Sequence, residues 1–124
     1  MEKYLNNTKN YFTEKLIPFW AARAVESKFG GFQTNYDRNG LPTDVTEKTL
    51  LGQCRAIFTI AHTMRLGFQW PSGYHSLKQG IEFLFRHFYD KKHNGYYWIL
   101  TEDGTVKDDN KIIYGHSFLI YALS

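Results

Sequence analysis

The fold class predicted by the sequence is all-α, with helix pairs linked by short β hairpins. Three observations carry it. Apolar residues recur at helical spacing in four segments. Two Asx-Gly pairs, Asn39-Gly40 and Asp103-Gly104, each sit between short extended arms. The first half also returns in the second, 64 positions on: Gly31, Gly40 and Asp44 reappear as Gly95, Gly104 and Asp108, and Phe32 as Tyr96. Lys48 returns as Lys111, one residue out of step. An ordinary four-helix bundle with two decorated loops would satisfy the same pattern.

The first helix is expected from about Tyr4 to Lys28, on the spacing of Leu5, Phe12, Leu16, Phe19 and Trp20. Pro18 predicts a kink or break inside it, and Gly30-Gly31 end it. Phe32 to Thr43 reads as two short arms around Asp37-Arg38-Asn39-Gly40, with both central turn residues expected at positive φ. A second helix is expected from about Thr46 to Leu66. Its stripe is Leu50, Cys54, Ile57, Ala61 and Met64, with Thr46 as N-cap and Glu47 and Lys48 in the first turn. Gly67 stops it, and Phe68 to Gly73 is a loop.

A third helix is expected from about Tyr74 to Asp90, striped by Leu77, Ile81, Leu84 and Phe88. Tyr96 to Leu100 forms one arm of a second hairpin that turns at Asp103-Gly104. The fourth helix, from about Asp109 to Ser124, is apolar on nearly every side and has no C-cap signal. Such a helix expects partners on several faces. The expectation is therefore a chain that is part of a larger domain, or one that pairs with something else, self-association through this helix included.

Composition narrows the function classes. A chain of 124 residues, 43% hydrophobic and 22% charged, is globular rather than disordered or fibrous. No charge-free stretch reaches the roughly 18 residues of a membrane helix. The polar start, Met1 to Asn10, shows no leader-like apolar region. A single cysteine, Cys54, excludes an internal disulfide framework and points to a reducing, cytoplasmic setting; its place in the stripe makes it a small buried hydrophobe. The net charge of +3 is scattered, with no basic run longer than Lys91-Lys92, which argues against nucleic acid. No His or Cys pair has metal-ligand spacing, and Gly30-Gly31 lacks the residues of a phosphate loop, so neither metal nor cofactor is expected. The 18% of aromatic residues is the stronger clue, and its plainest reading is a Phe/Tyr-rich core.

Several ordered motifs carry a resemblance. Leu16-Ile17-Pro18-Phe19-Trp20, Phe29-Gly30-Gly31-Phe32 and Tyr36-Asp37-Arg38-Asn39-Gly40 come first. Lys48 with Gln53-Cys54-Arg55 and Phe58 follows, then Asp90, Asn94-Gly95-Tyr96-Tyr97-Trp98, Asp103-Gly104, Lys111 and Tyr114-Gly115-His116-Ser117-Phe118. Together these resemble the N-acylglucosamine 2-epimerase superfamily over nearly the whole chain. The resemblance implies the N-terminal portion of an (α/α)6 toroid, about its first four helices, spanning residues 1–124. It also implies a carbohydrate C2 epimerase or aldose–ketose isomerase acting on a free reducing sugar. That chemistry removes the proton beside the carbonyl, which requires a base of near-neutral pKa and donors for the developing enolate oxygen.

By resemblance, Arg55 and Tyr114 are the catalytic candidates, and Gln53, Trp98 and His116 the substrate-binding ones. Helical geometry puts Arg55 on one face with Lys48, Gly52, Thr59 and His62, away from the Leu50 stripe, where a solvated surface arginine is the plain alternative. Tyr114, Trp98 and Tyr97 could equally be packing residues. His116, where the family carries Gln or His, could be a structural partner. Lys48 and Lys111 are expected to anchor the hairpins. The family's acid/base histidines lie on later helices; His62, His75, His87 and His93 do not match them, so the chain alone is expected to be inactive. Two other classes compete. One is an (α/α)6 glycoside hydrolase using Asp44 and Asp108 as its carboxylates, although each precedes a helix start and suits a cap. The other is a non-catalytic sugar-binding or interaction module using Tyr96 to Trp98.

Overall fold

In the computed structural model, which describes residues 1–124, α1 (Glu2–Tyr11) passes through a π-helical turn (Phe12–Leu16) into α2 (Ile17–Arg23). Pro18 has no N–H to donate, and its ring crowds a carbonyl of the preceding turn. The wider turn just before it accommodates both effects without ending the helix, so the expected kink takes this form. The helix stops at Arg23 rather than Lys28 because the next residues bond to the following arm. Gln33 N–H donates to Ala24 O at 2.7 Å and Glu26 N–H to Gly31 O at 3.0 Å.

The first Asx-Gly turn also differs from expectation. Gly40 N–H donates to Asp37 O at 3.0 Å, and among these residues only Gly40 takes a positive φ. The Asp37 carboxylate collects the amides of Asn39 and Leu41. That is an Asp-stabilised turn followed by a left-handed glycine. Its arms meet at a single bridge, Tyr36 to Pro42.

β1 (Lys48–Thr49) precedes α3 (Leu50–Arg65), which starts four residues later than expected. The cap is Thr49, whose hydroxyl accepts from Gly52 N–H at 3.0 Å, not Thr46. Lys48 lies in the strand because β1 pairs with β2 (Ile99–Leu100), which pairs with β3 (Val106–Asp108). A strand from the first half thus completes the hairpin of the second. α4 (Gly73–Phe83) ends in a second π turn (Leu84–Phe88) short of Asp90, and α5 (Ile113–Leu123) begins four residues after Asp109.

α3 is the central element, packed against both α4 and α5. Leu50, Cys54, Ile57 and Ile60 are sealed in the core with Phe32, Leu84, Phe88 and Leu100. Burial pushes the Cys54 thiol up to about 12, which leaves it inert. No helix is long and apolar enough to cross a membrane.

The repeat is present bond for bond. Asp90 N–H donates to Gly95 O and Tyr97 N–H to Phe88 O, both at 2.9 Å, matching the Glu26 and Gln33 bonds one repeat earlier. The bridges Val25–Phe32 and Tyr89–Tyr96 correspond in the same way.

Candidate functional site

Each half is locked by a lysine and a carboxylate. Lys48, fully buried, pairs with Glu26 at 3.3 Å, donates to Glu102 O and lies over the Phe83 ring. Lys111 bonds Asp90 at 2.9 Å and lies 4.1 Å from the Tyr97 ring centroid. The Lys111 hydrogen bond, with amides from Lys92 and His93, holds the Asp90 carboxyl well below the usual carboxylate range. Both carboxylates also gather the amides of the tight turn that follows them.

Two of the predicted site residues occupy equivalent places in this scaffold. Gln53 is buried, its Oε1 accepting Phe32 N–H and its Nε2 donating to Phe32 O, both at 2.8 Å. His116 Nε2 accepts Tyr96 N–H at 2.9 Å, and its Nδ1 faces Ile112 O at 2.9 Å. Since Nε2 accepts, the ring proton sits on Nδ1. Gln53 and His116 stand 63 positions apart, the same offset as Lys48 and Lys111. That offset was the available signal for their shared role.

Trp98 is half-buried and pins the sheet to the helices. Its N–H donates to Asp108 O at 3.0 Å, and its carbonyl accepts from Leu50 N–H at 2.9 Å. Its ring lies against Gly115, where an added Cβ would come within 2.8 Å. Asp108 spends its carboxylate on the amides of Asn110, while Asp44 is exposed in the other hairpin.

Arg55 and Tyr114 lie elsewhere, on the exposed side of the paired helices. Arg55, Phe58 and His62 follow one another along one face of α3; Tyr114, Phe118 and Tyr121 do so on α5. Phe58 joins the two rows, stacking on Tyr121 at 4.3 Å between centroids and on His62 at 5.1 Å. Tyr114 meets Phe118 edge to face at 5.1 Å and is 59% exposed. The result is an aromatic wall built of two stacked groups, which the sequence reading missed although Phe58 and Tyr121 stand at helical spacing from the two candidates. Arg55 enters none of the chain's salt bridges. It also borders a cleft of about 520 Å³ between α2 and α3, lined by Trp20, Thr34, Gly52, Ala56, Thr59 and Trp70. A free guanidinium beside aromatic faces can bind a polyhydroxylated ligand by its polar edge and its apolar face together. No three His, Cys, Asp or Glu side chains gather where they could hold a metal ion.

Comparison with known proteins matches residues 30–124 to the family N-acylglucosamine 2-epimerase. The cellobiose 2-epimerase of Bacteroides fragilis is 29% identical over 116 residues, covering 90% of this chain and 28% of that protein. The solved cellobiose 2-epimerase from Bacillus thermoamylovorans superposes with a TM-score of 0.86 at 24% identity, over 99% of this chain and 31% of that one. A D-mannose isomerase structure follows at 0.72 and 27% identity, covering 90% and 28%. The chain thus spans about 30% of the length of the relatives it matches. It takes up part of the (α/α)6 toroid fold, mostly helical with a small sheet.

Proposed function

The chain belongs to the N-acylglucosamine 2-epimerase family, and we propose on that premise that it forms the sugar-holding wall of a carbohydrate 2-epimerase or aldose–ketose isomerase. The substrate is a free reducing sugar, and the reaction moves the proton on the carbon beside its carbonyl. The observation that carries the proposal is Arg55, a cation without a counter-ion at the head of an aromatic wall shared by α3 and α5. Its fork of donors suits the enolate oxygen that forms when that proton leaves. The Tyr114 hydroxyl is a second donor from α5. The rings of Phe58, Tyr114 and Tyr121 offer faces for the apolar side of the sugar.

Gln53, Trp98 and His116 serve in this reading as positioning residues. The amide of Gln53 and both nitrogens of His116 are committed to backbone groups. His116 therefore has no free nitrogen to accept the substrate proton, and the base comes from outside this wall. The isolated chain is accordingly expected to give no turnover.

The test places residues 30–124 in the matching segment of the Bacteroides fragilis cellobiose 2-epimerase. The folded chimera is incubated with cellobiose or mannose in deuterated water, and products are read by NMR. Deuterium at C2 of an epimerised aldose, or at C1 of the ketose formed by isomerisation, is the expected result. A chimera that folds but exchanges no C2 proton with either sugar would overturn the proposal.

A further inference from the structure

Trp98 touches the starts of both inner helices. Its carbonyl accepts from Leu50 N–H, the first residue of α3, at 2.9 Å. Its ring covers Gly115 at the start of α5, where an added Cβ would lie 2.8 Å from Trp98 Cζ3 and 3.1 Å from Leu50 Cδ2. Arg55 stands five residues after Leu50, and Tyr114 stands immediately before Gly115. Glycine weakens a helix interior relative to alanine. Gly115 does not take a positive φ, so its backbone freedom is unused. What the position requires is the missing side chain.

The repeat points the same way. Gly52 is the third residue of α3 as Gly115 is of α5, and it faces Thr34, the equivalent of Trp98. There an added Cβ would come no nearer than 3.5 Å to Thr34. The two halves keep the glycine and change the size of the residue seated on it. The large residue is in the half that carries Tyr114.

We propose that Gly115 is a positioning residue for the sugar chemistry: seated under the Trp98 ring, it fixes how Tyr114 stands to Arg55. This role rests on Arg55 and Tyr114 being the donors that hold the sugar. A methyl at position 115 drives α5 away from Leu50 and Trp98 and carries Tyr114 with it. Donors that act on charge developing in the transition state then miss their target while the sugar still binds.

The folded chimera carrying residues 30–124 is assayed for C2 epimerisation at varied sugar concentration, with the melting temperature as the check of fold. Gly115→Ala is expected to lower kcat by about 10–100-fold and to leave KM near its parental value. Trp98→Phe withdraws part of the indole and is expected to lower kcat less. Gly115→Ala with Trp98→Phe is expected to recover most of the parental kcat, because the methyl enters the space the indole leaves. A contact that only stabilised the fold would move the melting temperature and leave kcat of the folded protein alone. If Gly115→Ala does not fold, Trp98→Phe against the double variant makes the comparison. A parental chimera that exchanges no C2 proton removes Arg55 and Tyr114 as sugar donors, and this role with them. In an active chimera, a folded Gly115→Ala variant with parental kcat overturns the positioning role alone. So does a double variant no faster than the folded single variants.

Discussion

His116 accepts the backbone N–H of Tyr96 at 2.9 Å, the bond that Gln53 makes to Phe32 one repeat earlier. Two different side chains thus perform one task at equivalent positions. His116→Gln is expected to keep the bond and most of the stability. His116→Ala strands a part-buried N–H and is expected to cost about 1–3 kcal/mol. Urea unfolding of the three proteins checks the order.

The Asp90 carboxyl is held below its ordinary value, first by the Lys111 hydrogen bond. A carboxylate whose folded-state pKa lies below its unfolded value, near about 3.9, adds stability that is fully present above that value. The contribution is lost as the pH falls toward the folded-state value. The wild-type chain should therefore lose stability on acidification from about pH 5 to pH 2. Asp90→Asn should be less stable at neutral pH and flatter across that window. Unfolding midpoints against pH measure both effects.

Lys48 is wholly buried and its partner Glu26 half-buried. Lys48→Ala opens a cavity and leaves the half-buried Glu26 carboxylate without its cation, a loss of about 2–3 kcal/mol. The double variant Lys48→Met with Glu26→Gln removes both charges, so it should recover part of that loss. Thermal unfolding of the single and double variants decides.

Gly80 faces Phe32 so closely that a Cβ would overlap its ring. In an open helix Gly→Ala stabilises by about 1 kcal/mol. Here Gly80→Ala is expected to destabilise by about 1–3 kcal/mol, because Phe32 is 1% exposed and has nowhere to move. A raised melting temperature would contradict this packing.

What the sequence made legible was what depends on near neighbours. The Leu50–Cys54–Ile57 stripe and the stop at Gly67 express local spacing and stand in the structure, as does the 64-residue repeat, whereas the first helix ends at Arg23, short of Gly30-Gly31. The helix starts were misjudged where tertiary pairing claims the residues. Lys48 reads as a first-turn residue of α3 until Leu100, 52 positions on, takes it into a strand. Asp108 likewise belongs to β3 rather than to the approach of α5. Arg55 was visible as a polar residue off the apolar stripe. The wall it heads was not, because the Phe58–Tyr121 stack exists only once α3 and α5 pack side by side.

The central claim is that Arg55 holds the oxygen on which charge develops. In the chimera carrying residues 30–124, Arg55→Ala is expected to lower turnover by about 10²–10³-fold, with the smaller part of the loss in KM. Arg55→Lys keeps the charge but not the fork and should fall between. Initial rates of C2 epimerisation at varied sugar concentration, on variants with unchanged melting temperature, give the answer. An Arg55→Ala protein that turns over sugar at the parental rate would contradict the account.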